Sequence, residues 1–187
     1  HRLLTDGVDV EVPSSDEYGG TRHLKVWLVD IETIENNDWL ALNQLTVIEK
    51  SVAGQSEVNR RADVVLYLNG LPIAVLELKN PGDENATIKH AFNQLQTYKK
   101  DIPSLFTTNE LLVISDGILA RSGMLTSGWG RYMPWRTVSG EEVAPKGTPE
   151  LETLVRGLFE RRYFLDYILN FVVFEDDGSK LIKKAAA

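Results

Sequence analysis

Asp63-Val-Val-Leu-Tyr-Leu68, Asn69-Gly70 and Leu71-Pro-Ile-Ala-Val-Leu-Glu-Leu-Lys79 form the stretch on which the fold turns. Aliphatic and β-branched residues crowd both halves, and the Asn-Gly pair between them is a strong hairpin signal. The pattern predicts strands over 61–68 and 72–79 joined by a tight turn. In the second strand apolar residues occupy both parities, so both of its faces are expected to be buried. Asn80-Pro81-Gly82 ends it.

The chemistry sits at the far end of this hairpin. Glu77 and Lys79 are two apart on one strand and therefore share a face. Whether Asp63 joins them depends on register. A strict two-residue turn pairs 63 with 76 and sends Glu77 to the opposite face. A three-residue turn, or a single bulge, pairs 63 with 77 directly. With that offset two carboxylates and an ammonium converge. Two carboxylates suit a hard cation such as Mg2+, which keeps waters and takes phosphate oxygens as further ligands. Such an ion acidifies a bound water and stabilises charge on a phosphodiester. The same three residues can also be a solvated charge cluster at a strand end.

Outward from the hairpin, Ile88, Ala91, Phe92, Leu95 and Tyr98 recur at helical spacing, which predicts an amphipathic helix over 86–101 with Asp83 or Asn85 as its cap. Gln94 and Tyr98, four apart, lie on one face. Tyr98 also fits a plain core position. Lys89, His90, Lys99 and Lys100 make this helix locally basic, as a solvated face or as a support for a phosphate backbone. Residues 111–115 read as a buried strand, with 118–125 as its hairpin partner. Thr148 as cap and Pro149 at the first position open a helix running to about Asn170. Toward the amino terminus, Gly7 stops a short helix before a strand, 13–22 is an exposed loop, and 24–32 and 44–50 read as strands around a polar turn at Asn36-Asn37-Asp38. The loosest segment, 126–147, holds Trp129, Arg131, Trp135 and Arg136, either facing another domain or tucked inward.

Composition narrows the classes. The chain has 187 residues, 43% hydrophobic and 25% charged, as in an ordinary globular domain. It has no cysteine, which removes disulfides and thiolate metal sites and fits a reducing cytoplasm. His1, His23 and His90 lack zinc spacing, leaving oxygen ligands for any metal. A net charge of -7 argues against a free-standing nucleic-acid binder, so DNA would have to be delivered by another part. The apolar runs are too short for a membrane helix. A start at His1 and an end at Lys183-Lys184-Ala185-Ala186-Ala187 suggest a piece of a longer polypeptide.

Asp63 followed by Glu77-Leu78-Lys79 resembles the motif of the PD-(D/E)xK nuclease superfamily. Asn59-Arg-Arg-Ala-Asp63, Leu68-Asn-Gly-Leu-Pro72, Glu77-Leu-Lys-Asn-Pro81 and Gln94-x-x-x-Tyr98 together resemble the amino-terminal nuclease domain of the Type I restriction enzyme motor subunit. So do Leu3-Leu-Thr-Asp-Gly-Val8 and Ile114-Ser-Asp-Gly117. The resemblance covers roughly residues 1–136, and Ala62 stands where the superfamily name has Pro. It implies an α/β, restriction-endonuclease-like mixed sheet flanked by helices. It implies that Asp63, Glu77 and the Leu78 main-chain carbonyl hold Mg2+, that Lys79 is the catalytic lysine, and that Gln94 and Tyr98 support them. It further implies an endonuclease core over 1–136, with 137–187 a linker and helical extension toward a helicase motor. That motor would use ATP to translocate double-stranded DNA, and modification and specificity subunits would find the target. Two other readings stand beside this one: a repair or junction-resolving nuclease of the same superfamily, and a non-catalytic docking module for a DNA motor.

Overall fold

A computed structural model describes residues 1–14, 20–50, 56–82 and 87–186. In chain order its elements are helix α1 (Arg2–Thr5), strands β1 (Val8–Pro13), β2 (Thr21–Val26), β3 (Trp39–Lys50), β4 (Glu57–Leu68) and β5 (Leu71–Leu78), and helix α2 (Ile88–Asp101). Strands β6 (Leu111–Ser115) and β7 (Ala120–Gly123), helices α3 (Glu150–Gly157) and α4 (Arg161–Phe171), and strands β8 (Val172–Asp176) and β9 (Leu181–Ala185) follow. Strands β3-β4-β5-β6-β7 form one mixed sheet in that order, with β5 and β6 parallel and the other pairs antiparallel. The α2 crossover between two parallel strands and the helices beside the sheet make the fold mixed α/β, of the restriction-endonuclease-like kind.

The central hairpin shows how the one-residue offset arises. Asn69 and Gly70 take φ of 50° and 81°, the left-handed pair that a two-residue hairpin turn requires. Leu68 pairs with Leu71 and Tyr67 with Pro72, as that turn dictates. The register then shifts, and Leu66 pairs with Ala74 and Val64 with Leu76. A bulge that leaves Ile73 unpaired thus supplies the offset, and the turn is not lengthened. Pro72 has no N–H to give to a ladder, so interruption beside it costs little. Ile73 and Ala74, although adjacent, both join the same core, as a bulge requires. Continued one step, the register places Asp63 across from Glu77.

Both faces of the sheet are covered. On one, Val65, Val75, Leu112 and Ile114 pack against Ile88, Phe92, Leu95 and Tyr98 of α2. On the other, Leu68, Ala74, Leu76, Leu111 and Val113 pack against Leu154 of α3 and Phe164, Leu165 and Ile168 of α4. Helical residues 150–171 are therefore part of the sheet's packing. Burial on two faces explains the unbroken apolar run of β6, all five residues of which are buried.

Several boundaries differ from the pattern-based expectation. The strand expected at 24–32 ends at Val26, and it starts earlier, at Thr21, where it pairs with β1 outside the main sheet. Asp30 is the reason: its carboxylate accepts N–H bonds from Glu32 and Thr33 and the Asn36 amide, which curls the chain. The strand expected at 44–50 already begins at Trp39. The helix expected from 148 to 170 is two helices, because Glu160 accepts from the N–H groups of Arg162 and Tyr163 and starts a new one. The proposed caps Asp83 and Asn85 lie outside the described residues. In the described chain Thr87 precedes α2, and its N–H reaches Nδ1 of His90 at 3.4 Å. A β8–β9 hairpin, not anticipated from sequence, pairs Val172–Asp176 with Leu181–Ala185.

Candidate active site

Strand β5 carries Glu77 with the parity of Val75, which faces α2. Its side chain is 0% exposed. Lys79 folds back so that Nζ donates to Glu77 Oε1 at 2.7 Å and to Gln94 Oε1 at 2.5 Å. From Gln94, Nε2 continues to the Tyr98 hydroxyl at 2.5 Å, and that hydroxyl donates to the Arg61 carbonyl at 2.7 Å. One hydrogen-bonded chain therefore runs from β5 across α2 to β4. Tyr98 is both a core residue and the end of this polar chain, so the two expectations for it are compatible.

Asp63 enters from β4. Pairing of β4 with β5 ends at Val64 and Leu76, and beyond it Asp63 Oδ2 accepts the Leu78 N–H at 2.8 Å in place of a ladder bond. Its other oxygen, Oδ1, accepts from Gln44 Nε2 at 3.2 Å. In a strand the N–H and C=O of one residue point to the same edge. The Leu78 carbonyl thus faces the gap into which Asp63 projects, whereas Lys79 N–H bonds to Ser115 on the other edge.

Glu77 Oε2 is buried without a hydrogen-bond partner, next to the Asp63 carboxylate. Such an oxygen is costly to bury empty-handed. Together with Asp63 and the Leu78 carbonyl it makes an all-oxygen set that fits a hard divalent cation. Among the described residues no group of three or more His, Cys, Asp or Glu could hold a metal ion, so two carboxylates and a main-chain oxygen are what this site would offer a cation.

Burial pushes the Glu77 carboxyl up to about 7; the Lys79 hydrogen bond pulls against this and the Asp63 charge adds to it. In the unfolded chain this carboxyl ionises near its ordinary 4.5, so between 4.5 and about 7 the folded chain holds the extra proton. Stability therefore falls as pH rises through that window and stays lowered above it, by on the order of 3 kcal/mol. Glutamine imitates the neutral acid. In metal-free protein, Glu77→Gln is expected to raise the melting temperature at pH 8 and to leave it unchanged at pH 4. Thermal melts at the two pH values check this; equal melting temperatures at pH 8 would contradict it.

Of the other basic and aromatic candidates, Lys89, Lys99, Trp129 and Trp135 are engaged by their own chain. Lys89 sits over the rings of Phe92 and Trp129, at 4.6 and 4.2 Å from their centroids. Lys99 donates to the Leu125 carbonyl at 2.7 Å, and burial lowers its pKa. Trp129 meets Phe92 edge-on at 5.5 Å and Trp135 meets Tyr167 at 6.3 Å, so both tryptophans pack against their own chain. Arg131 and Arg136 are exposed. Gln44 was not legible as a site residue: it sits far upstream in an ordinary-looking strand.

Residues 1–131 match the family described as Type I restriction enzyme R protein N terminus. The chain belongs to this family. Among its relatives, the Type I restriction enzyme HindI endonuclease subunit of Haemophilus influenzae is 42% identical over 100% of this chain and 17% of its own length. The Type I restriction enzyme EcoprrI endonuclease subunit of Escherichia coli is 27% identical over 76% of this chain and 45% of its own length. The chain thus spans about a sixth of the HindI subunit. The whole set from Gln44 to Tyr98 lies within the R protein family match, and the alignment to the HindI subunit also takes in α3, α4 and the β8–β9 hairpin. Among the described residues no helix is long and apolar enough to cross a membrane.

Proposed function

We propose that this domain is the Mg2+-dependent endonuclease centre of an ATP-dependent Type I restriction enzyme, hydrolysing phosphodiester bonds of double-stranded DNA. The observation that carries this reading is the convergence, at the open end of β4 and β5, of Asp63, the buried unpartnered oxygen of Glu77, and Lys79. Asp63, Glu77 and the Leu78 carbonyl would hold the metal, which when bound acidifies water and stabilises phosphate charge. Lys79 places an ammonium at the mouth of the set, where it neutralises charge developing on the phosphate. Gln94 and Tyr98 fix that ammonium through their hydrogen bonds. A docking module has no use for a carboxylate buried without a full set of partners.

ATP use, translocation and target finding belong on this reading to a helicase motor and to modification and specificity subunits. A net charge of -7 fits a domain to which DNA is delivered by those parts. Cleavage by the full subunit, assembled with its partners, tests the proposal. Chelation of Mg2+ is expected to stop cutting. Glu77→Ala is expected to raise the Mg2+ concentration for half-maximal cutting by about tenfold or more. Cutting by Glu77→Ala with the wild-type Mg2+ requirement would defeat the reading.

A further inference from the structure

Two non-glycine residues among those described have a left-handed backbone, Asn69 and Gln44. Asn69 is accounted for by the hairpin turn. Gln44 is not in a turn. It lies inside β3 with φ of 54°, between the pairs Asn43–Val64 and Leu45–Ala62, and so directly across from Asp63. Backbone strain of this kind persists where the surroundings enforce it, and it concentrates at working sites.

At this step both strands exchange faces. Ala62 and Val65 are three apart yet both join the core under α2, while Val64 joins the core on the other side. Leu45 and Val47, paired with Ala62 and Arg60, also pack toward α2. Arg60 agrees, since its guanidinium bonds to Asp101 of α2 at 2.7 Å. Before the Gln44–Asp63 step, even-numbered residues of β4 face α2; after it, odd-numbered ones do. A regular strand keeps its parity. The pairs on either side of the step match without an inserted residue, so the two strands change face together, and in β3 the change falls at the left-handed backbone of Gln44. Its result is that Asp63 leaves the normal alternation and aims its carboxylate sideways at the end of β5, where Oδ2 meets the Leu78 N–H. The exposed Gln44 side chain then holds Oδ1 from the opposite edge at 3.2 Å.

We propose that Gln44 is a positioning residue for the nuclease centre: its left-handed backbone turns Asp63 toward β5, and its amide holds the Asp63 carboxylate in the plane that presents it to the metal. This rests on the function proposed above. Bonds of this type to a ligating carboxylate fix its orientation, and their loss costs about tenfold to a hundredfold in metal affinity or activity.

The test uses the full subunit assembled with its partner subunits. Gln44→Gly and Gln44→Ala are titrated with Mg2+ beside Glu77→Ala, and cutting and ATP hydrolysis are read together. Glycine accepts a φ of 54° freely, so Gln44→Gly should fold and hydrolyse ATP as wild type. Both Gln44 variants are expected to need about tenfold more Mg2+ for half-maximal cutting, because both lack the amide. Gln44→Ala should also melt at a lower temperature than Gln44→Gly, because only alanine is strained there. If either Gln44 variant keeps the wild-type Mg2+ midpoint while Glu77→Ala does not, the positioning role is overturned and the nuclease reading stands. If Glu77→Ala itself keeps the wild-type midpoint, the nuclease reading falls and this role with it.

Discussion

Lys79→Ala is expected to lower DNA cleavage by the assembled enzyme by about a hundredfold or more while ATP hydrolysis continues. The expectation rests on where the ammonium is. Lys79 Nζ sits between Glu77 Oε1 and Gln94 Oε1, with its side chain 17% exposed, at the rim of the carboxylate set. Charge placed there counts most when negative charge grows on the phosphate, so its loss falls on the transition state more than on binding. Gross unfolding is not expected. Ile73, Val75, Leu76 and Leu78 still anchor β5, and Glu77 can take up a proton because its carboxyl already titrates near 7. Cleavage, ATP hydrolysis and thermal stability measured on one preparation distinguish the outcomes. Undiminished cutting would make Lys79 irrelevant. Unfolding would make it a structural ion-pair partner and favour the docking reading.

Lys183→Met is expected to destabilise the chain by about 3–5 kcal/mol, a fall in melting temperature of roughly 10 °C. Lys183 Nζ donates to Glu110 Oε2 at 2.5 Å and to the Asn109 carbonyl at 2.7 Å, with the two side chains 8% and 0% exposed. Burial lowers the Lys183 pKa, and the Glu110 carboxylate opposes that shift. The pair joins β9 to the start of β6, and Thr126 Oγ1 bonds both the N–H and the carbonyl of Lys183. Methionine keeps the length of the side chain but takes the ammonium from Glu110, leaving its buried carboxylate with the His1 ring at 3.0 Å. The double variant Lys183→Met/Glu110→Leu should regain most of the loss, since removing both charges ends the desolvation cost. Thermal denaturation of the two variants checks this. A double variant no more stable than the single one would show that the cost lies in packing.

Sequence by itself determined the local parts of this protein. Asn69-Gly70 marked a tight hairpin turn between two strands, because only residues tolerant of left-handed backbone close such a hairpin. Apolar residues at both parities of β5 and β6 marked strands covered on two faces, and the three-to-four spacing from Ile88 to Tyr98 marked α2. The two-residue spacing of Glu77 and Lys79 placed both on one face whatever surrounds them. Only the tertiary structure decided whether Asp63 meets them. Two arrangements of the same hairpin differ by one residue of register, and local propensity is nearly indifferent between them. The choice is made by the bulge at Ile73, favoured by packing Ile73 and Ala74 into one core. The Glu110–Lys183 pair joins residues 73 positions apart, and no window of sequence contains both its charge balance and its burial. Interactions that depend on packing between distant segments become visible only once the sheet has brought them together, because burial, unlike periodicity, is a property of the assembled fold.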